Sequence, residues 1–333
     1  MVTMLDVAKK AGVSKSTVSR ILSGNAVVSE QAKQAVYKAI EETGYRPNLL
    51  ARQLATKKTS YIGFVMTNVL YNGPYFSTIV YNAASFSERN GYQLILADGK
   101  HSAQEERDAI NFLLDMKCAG IVVYPSFLNE DEMADIIESS ETPIVVINRH
   151  QTSHPECAFV TDHYQSAVQM MEYIISQGHK EIGFIQGVEG SASGECRFAA
   201  YRDVLAKHHI AYREDWVSEG HWLPEGGYQA TKQLFAQGQQ VSAILAGNDE
   251  MAFGAMKALY EMGYKIPEDV SIAGFDNISM SNYVTPTLTT VSIPFDRMLQ
   301  KGILYLIGEQ QQSQDLDLNC ELIIRNSVAS RHA

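Results

Sequence analysis

The segment "KSTVSRIL", residues 15–22, carries side chains that suit contact with a nucleic acid. On a helix, one face of this segment would be apolar, and the opposite face would offer Lys15, Ser16, Ser19 and Arg20. Lys and Arg can donate to guanine O6 and N7 in the major groove, whereas a Ser hydroxyl is less selective. These residue types predict DNA readout.

The charge of the chain is divided unevenly along its length. Residues 1–60 hold ten Lys or Arg and four Asp or Glu, a net +6, whereas the other 273 residues hold 17 and 34, a net −17. Such asymmetry favours a basic module that meets a polyanion, joined to an acidic body that does not.

Three short helices are predicted to position the basic face. Their ends are indicated by capping residues and glycines, in chain order Thr3 with Asp6, Gly12, Ser14, Ser29 and Gly44. Their inner faces would be Val7, Ala8, Ala11, Val18, Ile21, Leu22, Ala32, Val36, Ala39 and Ile40. Two helices joined at a short turn, with a third packed behind, describe a helix-turn-helix, which places the start of its second helix in the major groove.

All of residues 3–60, including "LDVAKKAGVSKSTVSRILSG" and "YRPNLLARQL", resemble the headpiece of the LacI/GalR family of bacterial transcription regulators. The resemblance implies that Lys15 and Ser16 read base edges, with Thr17 beside them and Arg20 one turn on. The headpiece residues expected to contact DNA are Thr3, Ser14, Lys15, Ser16, Thr17 and Arg20. The alternative is that the basic side chains form a solvated helix face.

The segment "RPNLLARQLATKKTS" follows the headpiece. Pro47 suits the turn before a helix and Asn48 can cap that helix, but its apolar stripe has too little partner surface to fold alone. The resemblance implies a hinge helix that folds on DNA, pairs with its copy and wedges Leu54 into the minor groove. Asn48 and Leu54 are therefore expected DNA contacts. A flexible interdomain linker is the alternative.

After residue 60, apolar runs alternate with amphipathic stretches, which predicts parallel sheets covered by helices on both faces. The predicted fold class is α/β, and the resemblance implies an N-terminal all-α headpiece and a two-lobed, periplasmic-binding-protein-like body. The predicted domains are 1–46 for the helix-turn-helix, 47–60 for the hinge, 61–161 plus about 291–320 for one lobe, and 162–290 plus about 321–333 for the other.

Ligands of such sheets bind outside the carboxyl ends of the strands, in the cleft between two lobes. The resemblance implies that the effector-binding residues there are Tyr75, Phe76, Asn148, Arg197, Trp222, Asn248 and Asp276, with Asp249 adjacent. Aromatic rings and polar or charged side chains suit the faces and hydroxyls of a sugar. As alternatives, Asn248 could be only a helix cap, Asp276 a turn residue, and both Tyr75 and Phe76 core. Where many relatives carry Asp-Asn, this chain has Asp162-His163, so the contact made there stays open.

Other function classes find little support. HExxH, P-loop, GxGxxG and CxxC motifs are absent, and "GSASG" lacks the serine of GxSxG, so neither an enzyme, a metal site nor a cofactor is expected. The chain shows neither a secretory signal nor an apolar run for a membrane span, which predicts a cytoplasmic protein.

The predicted partners follow from the resemblance. A pseudo-palindromic duplex operator needs two headpieces, so a homodimer is expected, and without a leucine-heptad tail a tetramer is not. The stretches "LADGKHSAQEER" and "GNDEMAFGAMKALYE" resemble family members that control β-glucoside operons, which implies a repressor induced by a sugar of that type. A purine corepressor on the same fold, or a sugar-binding protein without DNA function, are the alternatives.

Overall fold

The computed structural model describes residues 2–23, 28–45, 59–68, 73–236, 238, 240–313 and 316–331. The chain divides into two compact units, Met1–Thr59 and Ser60–Ala333. The predicted DNA contacts Asn48 and Leu54 lie outside the described residues. None of the helices in the described ranges is both long enough and apolar enough to cross a membrane.

The first unit contains α1 (Met4–Ala11), α2 (Lys15–Ser23) and α3 (Glu30–Thr43). The capping prediction at Thr3 is confirmed, because its backbone N–H donates to the Asp6 carboxylate at 2.9 Å. The Thr3 hydroxyl also donates to this carboxylate at 2.7 Å, and the two hydrogen bonds lower the pKa of Asp6. Helix α1 ends at Gly12, whose φ of +66° lies in the left-handed region that glycine reaches without strain.

A small apolar core holds these three helices together. Its buried members are Val7, Ala8, Val18, Ile21, Val36 and Ala39, as the helical periodicity predicts. Helices this short are marginal in isolation, so their stability must come from this packing. With Val18 and Ile21 turned inward, Lys15, Ser16 and Arg20 lie on the exposed face of α2.

The second unit is built on two sheets. The first has the strand order β2-β1-β3-β4-β5, all parallel, and the second the order β11-β10-β9-β8-β6-β7, parallel except for the β10–β11 pair. The strands are β1 (Tyr61–Met66), β2 (Gln93–Asp98), β3 (Gly120–Val123), β4 (Ile144–Ile147), β5 (Ala158–Phe159), β6 (Ile182–Gln186), β7 (Val217–Glu219), β8 (Ala243–Ala246), β9 (Ser271–Phe275), β10 (Thr289–Ser292) and β11 (Glu321–Ile323). The α/β prediction is therefore confirmed.

Helices cover both sheets, which is why strands such as β3, β4 and β8 are apolar at every position and fully buried. The helices are α4 (Pro74–Arg89), α5 (Ala103–Asp115), α6 (Glu130–Ser139), α7 (His163–Ser176), α8 (Ala192–Lys207), α9 (Pro224–Ala236), α10 (Asp249–Glu261) and α11 (Phe295–Leu306). The sequence patterns did not predict α11, which packs against the first sheet.

The chain passes between the two sheets more than once. It leaves the first sheet after β5, returns after β10 to form α11, and goes back to add β11 to the second sheet. Because all strands except β11 are parallel within their sheet, the loops after their carboxyl ends gather on one side.

One of these loops is fixed by a buried carboxylate. The Glu106 side chain on α5 is fully buried and accepts the backbone N–H groups of Ser126, Phe127 and Leu128 at 2.7, 3.0 and 2.8 Å. The Arg149 guanidinium donates to the Leu128 carbonyl. The loop after β3 is thus held at successive peptide groups rather than by its own side chains.

We expect Glu106→Gln to lower the free energy of unfolding by about 2–4 kcal/mol, because the amide turns an NH₂ group toward backbone donors that then lose their acceptor. Chemical denaturation of the full chain measures this change. Asp108→Asn, an exposed substitution on the same helix, is the control. Equal stability of the Glu106→Gln and Asp108→Asn proteins would contradict the assigned role of Glu106.

Candidate functional site

A cavity of about 430 Å³ lies at the carboxyl ends of the strands of the second unit. Side chains from both sheets line it. Of the predicted effector residues, those in the lining are Tyr75, Asn148, Arg197, Trp222, Asn248 and Asp276. Cavities of this size bind small organic molecules.

The Arg197 guanidinium, on α8, forms the polar centre of the cavity. It is 3% exposed, donates to the Gly247 carbonyl at 2.5 Å and pairs with Asp276 at 3.3 Å. Its Nε–H is buried and has no hydrogen-bond partner in the protein. The Phe275 ring lies 4.5 Å from its central carbon, so the guanidinium cannot turn away from the cavity easily.

Asp276 completes the ion pair from the loop after β9. Its φ of +99° is unusual for a residue with a side chain and directs the carboxylate toward Arg197. Burial raises the pKa of Asp276, and the Arg197 guanidinium opposes that shift. The pair therefore offers a cation and a carboxylate, the groups that bind hydroxyls in charge-assisted hydrogen bonds.

Trp222 is held in a slot made of glycines. A Cβ added at Gly187 would lie 2.0 Å from the indole, and one at Gly194 or Gly247 would lie 3.1 or 3.2 Å from it. The backbone of Trp222 has a positive φ of 64°, and its carbonyl accepts from the Asn248 amide at 3.1 Å. Only glycine at position 187 leaves room for the ring in this place, and a Cβ at position 194 or 247 would require the ring to shift by a few tenths of an ångström.

Asn248 has two roles in the structure. Its Oδ1 accepts the Met251 N–H at 2.9 Å and so caps α10, as the capping alternative predicts. Its Nδ2 donates to Trp222, and the residue also lines the cavity. The cap therefore does not exclude a contact with a ligand.

A chain of hydrogen bonds connects the two lobes beside the cavity. His163, at the start of α7, places Nε2 2.7 Å from the Asn148 Oδ1. The Asn148 Nδ2 donates to the Tyr124 hydroxyl at 2.7 Å, which lies 3.0 Å from the Tyr75 hydroxyl. The histidine that replaces the usual asparagine after Asp162 thus contacts Asn148, which answers the question that the sequence left open.

The buried imidazole of His163 determines the donor and acceptor direction of these hydrogen bonds. Burial and the nearby Arg197 lower the pKa of His163 to about 3, so the ring is neutral near neutral pH. Its Nδ1 has no partner, and an unpaired acceptor costs less than an unpaired N–H. The proton therefore belongs on Nε2, which donates to Asn148 and leaves the amide group of that residue facing Tyr124.

Two of the side chains considered from the sequence lie elsewhere. Phe76 is not among the described residues of the lining and packs against the hydrophobic core, because neighbouring residues of α4 cannot face the same direction as Tyr75. Asp249 points away from the cavity and accepts from Ser281 and Thr290, both at 2.6 Å. Burial raises the pKa of Asp249 to about 8.

The sequence patterns did not single out Glu250, although it lines the cavity. The residue is 8% exposed, and its Oε1 has no hydrogen-bond partner in the protein. A Cβ at Gly73, before α4, would lie 2.3 Å from that oxygen, so α10 and α4 meet here across the two lobes. Burial and the Asp276 carboxylate raise the pKa of Glu250 to about 7.

Tyr124 and Phe295 were also missed. Tyr124 directly follows β3, so the rule that ligands bind at the carboxyl ends of strands could have identified it. Phe295 begins α11, which the sequence patterns did not predict, and its ring lies 5.1 Å from Tyr75 in an edge-to-face arrangement.

The first unit offers a second candidate site, on the exposed face of α2. The Ser14 hydroxyl accepts the Thr17 N–H at 3.1 Å and lies 2.7 and 2.8 Å from the hydroxyls of Ser16 and Thr17. Lys15 and Arg20 are exposed beside them. Thr3 is exposed at the start of α1. The helix-turn-helix geometry thus presents cationic and hydroxyl donors together.

A helix-turn-helix with a basic face, joined to a two-lobed body with a polar cavity, defines a ligand-responsive DNA-binding transcription regulator. Residues 3–48 match the bacterial regulatory proteins of the lacI family, and residues 171–328 match the periplasmic binding protein-like domain. The HTH-type transcriptional regulator AscG of Escherichia coli (strain K12) is 48% identical over 98% of both chains. The chain belongs to the LacI family and is a DNA-binding transcriptional regulator.

Two further relatives have the same organisation. The HTH-type transcriptional repressor PurR of Pectobacterium carotovorum subsp. carotovorum (strain PC1) is 31% identical over 99% of this chain and 97% of its own. A crystal structure of the lac repressor dimer, bound to operator and the anti-inducer ONPF, has a TM-score of 0.87 at 26% identity and covers 98% of this chain and 99% of its own.

We expect the stability effect of Glu250→Gln to depend on pH. The folded state raises the pKa of Glu250 from 4.5 to about 7, so its stabilising contribution is complete below pH 4.5 and is lost as the pH rises through 7. At about pH 8 the variant should therefore be more stable than wild type by on the order of 1–3 kcal/mol, and at about pH 4.5 nearly equal to it. Denaturant titrations at the two pH values measure this difference.

Glu195→Gln, an exposed substitution on α8, is the control for the removal of one carboxylate. The difference in the free energy of unfolding between Glu250→Gln and wild type should change between the two pH values. A constant difference would mean that the folded state does not raise the pKa of Glu250.

Proposed function

We propose that this regulator is a repressor of a β-glucoside catabolic operon and that a β-glucoside-type inducer in the cavity releases it from a pseudo-palindromic operator. The observation that carries the proposal is the polar centre of the cavity. Arg197 has an unpaired, buried N–H beside the Asp276 carboxylate, and Glu250 has an unpaired carboxylate oxygen. The side chains of Arg197, Asp276 and Glu250 all line the cavity, and charged side chains bind sugar hydroxyls through charge-assisted hydrogen bonds.

In this proposal the effector contacts come from both lobes. Tyr75 and Asn148 act from the first lobe, and Arg197, Trp222 and Asp276 act from the second, with Asn248 orienting Trp222. Phe76 packs against the core and is not among the described residues of the lining, so it is not assigned a ligand contact. Asn148 keeps one amide N–H for the ligand while it connects His163 with Tyr124.

The DNA contacts of the proposal lie on the first unit. The side chains on α2 that would contact bases or phosphates are Lys15, Ser16, Thr17 and Arg20. The sugar-phosphate backbone would be contacted from the starts of α1 and α2 by Thr3 and Ser14. Asn48 and Leu54 are included as DNA contacts of the hinge, and only the resemblance of the sequence to LacI/GalR regulators supports them. The same proposal includes the domain boundaries: a helix-turn-helix over residues 1–46, a hinge over 47–60, and two lobes divided near residue 161.

A homodimer in the cytoplasm, where the chromosome lies, would carry two headpieces to the two half-sites. Ligand binding between the lobes changes their relative position, and the dimer converts this change into a different separation of the headpieces. The coupling between sugar and operator is typically 1–3 kcal/mol and must be reciprocal.

We expect Arg197→Ala to abolish the response to ligand while operator binding is kept, because the substitution removes the polar centre of the cavity and leaves the headpiece unchanged. Fluorescence anisotropy measures this on an operator selected from a random duplex library, with and without salicin. Arg202→Ala, an exposed substitution on the same helix, is the control. A normal release of the Arg197→Ala protein by salicin would contradict the proposed site.

Lys15→Gln should weaken binding to the selected operator by about 1–3 kcal/mol, because a neutral amide replaces the charged ammonium donor to guanine O6 and N7. Binding to random DNA should change much less. Lys38→Gln, which removes an exposed charge from α3, is the control for net charge. An equal loss on both DNAs would mean that Lys15 contacts phosphate and does not read sequence.

The purine alternative predicts a different response in the same assay. A purine corepressor would raise operator affinity, and salicin and cellobiose would have no effect. Hypoxanthine and guanine therefore belong in the ligand panel. A response to these purines alone would keep the DNA-binding function and overturn the proposed inducer.

A further inference from the structure

The turn after β9 has a backbone conformation that side chains rarely allow. Asp276 and Asn277 both have a positive φ, +99° and +49°. Asn tolerates the second of these values, but the first lies outside the small left-handed region. Strain of this kind persists only where the surrounding structure fixes it, and it is found mainly at binding and catalytic sites. The Asp276 carboxylate lies in the cavity 3.3 Å from Arg197, so whatever holds the turn also determines the position of this carboxylate.

Asp249, the first residue of α10, is bonded to this turn. Its carboxylate accepts the Ile278 N–H at 3.0 Å and the Ser281 hydroxyl at 2.6 Å. The Thr290 hydroxyl, on β10, donates to the other carboxylate oxygen at 2.6 Å and accepts the Asn277 N–H at 3.3 Å. The two N–H groups that follow the strained residue are thus fixed, one directly and one through Thr290.

The burial of Asp249 is not explained by its place in the first turn of a helix. An exposed carboxylate at this position would also be stabilised by the helix dipole. Asp249 is instead fully buried, and a Cβ at Gly274, on β9, would lie 2.5 Å from its Oδ1. Burial of a carboxylate is costly unless hydrogen bonds compensate it, and here the turn and β10 supply the three donors.

Arg325 holds the same turn from another segment of the chain. Its guanidinium donates to the Asn277 Oδ1 at 2.6 Å and to the Leu288 carbonyl at 2.7 Å. Asp249, Thr290 and Arg325 are not among the described residues of the cavity lining. These side chains can therefore act on the cavity through the turn, without touching a ligand.

We propose that Asp249 is a positioning residue of the effector site: it holds the turn at Asp276 and Asn277 and thereby directs the Asp276 carboxylate to Arg197 and to the ligand. The inference deepens the proposed function, on which its ligand measurement rests. All three partners of Asp249 are neutral donors, so the position of its oxygens matters more than its charge. An amide oxygen can keep the two bonds to Ile278 and Ser281 while the amide N–H donates to the Thr290 hydroxyl.

Isothermal titration of the full chain with salicin measures the effect on the ligand. Asp249→Ala should weaken salicin by about 10- to 100-fold, the size expected when a hydrogen bond to a charged group is lost. Asp249→Asn should lose much less, because it keeps the acceptor for the turn. Operator binding without salicin should be the same in both variants and in wild type.

Asp131→Ala, which removes an exposed carboxylate from the first turn of α6, is the control for the helix dipole and should bind salicin as wild type does. Wild-type affinity in Asp249→Ala would overturn the inference, and so would an equal loss in Asp249→Ala and Asp249→Asn. If Asp249→Ala does not fold, Ser281→Ala and Thr290→Val each remove one donor and should each weaken salicin by a smaller factor. Wild-type affinity in both of these would overturn the inference as well.

A crystal structure of the Asp249→Ala protein, or of Thr290→Val in its place, tests the turn without a ligand. We expect the Asp276 carboxylate to have moved away from Arg197, with φ of Asp276 returned toward negative values. An unchanged φ and an unchanged ion pair would overturn the inference, whether or not a glucoside binds. If the turn changes while wild type does not bind salicin, the proposed inducer fails and the positioning role of Asp249 stands.

Discussion

The cavity of this regulator depends on the buried ion pair between Arg197 and Asp276. Two charges taken out of water are costly, and their mutual attraction offsets that cost only when further hydrogen bonds complete the arrangement. Here the Gly247 carbonyl and the Phe275 ring hold the guanidinium, and a positive φ at Asp276 directs the carboxylate. The pair is therefore better explained as a preorganised ligand site than as a source of stability.

The same pair determines the electrostatics of its neighbours. Arg197 contributes to the lowered pKa of His163, which keeps the imidazole neutral and able to orient Asn148. Burial, together with the Asp276 carboxylate, raises the pKa of both Asp249 and Glu250. Asp249 accepts from three donors, whereas Glu250, which lines the cavity, has one oxygen without a hydrogen-bond partner in the protein. Binding of a polar ligand would thus act on groups from both lobes, which is what a coupled regulator requires.

Local signals explain what could be predicted from the sequence. Thr3, Gly12 and Ser14 determine helix ends through bonds within a few residues, and the apolar runs of β3, β4 and β8 allow only buried strands. The rule that ligands bind at the carboxyl ends of strands directed attention to the loops there, and the resemblance to LacI/GalR regulators supplied the individual cavity residues, Arg197 and Trp222 among them. The sequence indicated neither the slot for Trp222 nor the unpaired oxygen of Glu250, because these depend on contacts between distant segments. Phe76 stays a prediction: it packs against the core and is not among the described residues of the lining, since adjacent helix positions face different directions.

We propose that a β-glucoside binds against Trp222 in the cavity between the lobes. The most direct measurement is a tryptophan fluorescence titration of the full chain, which has only Trp216 and Trp222, against salicin, cellobiose, galactose, ribose, hypoxanthine and guanine. We expect a saturable change with a β-glucoside that disappears in Trp222→Phe. A response to a purine alone, or a β-glucoside signal that survives in Trp222→Phe, would contradict the account.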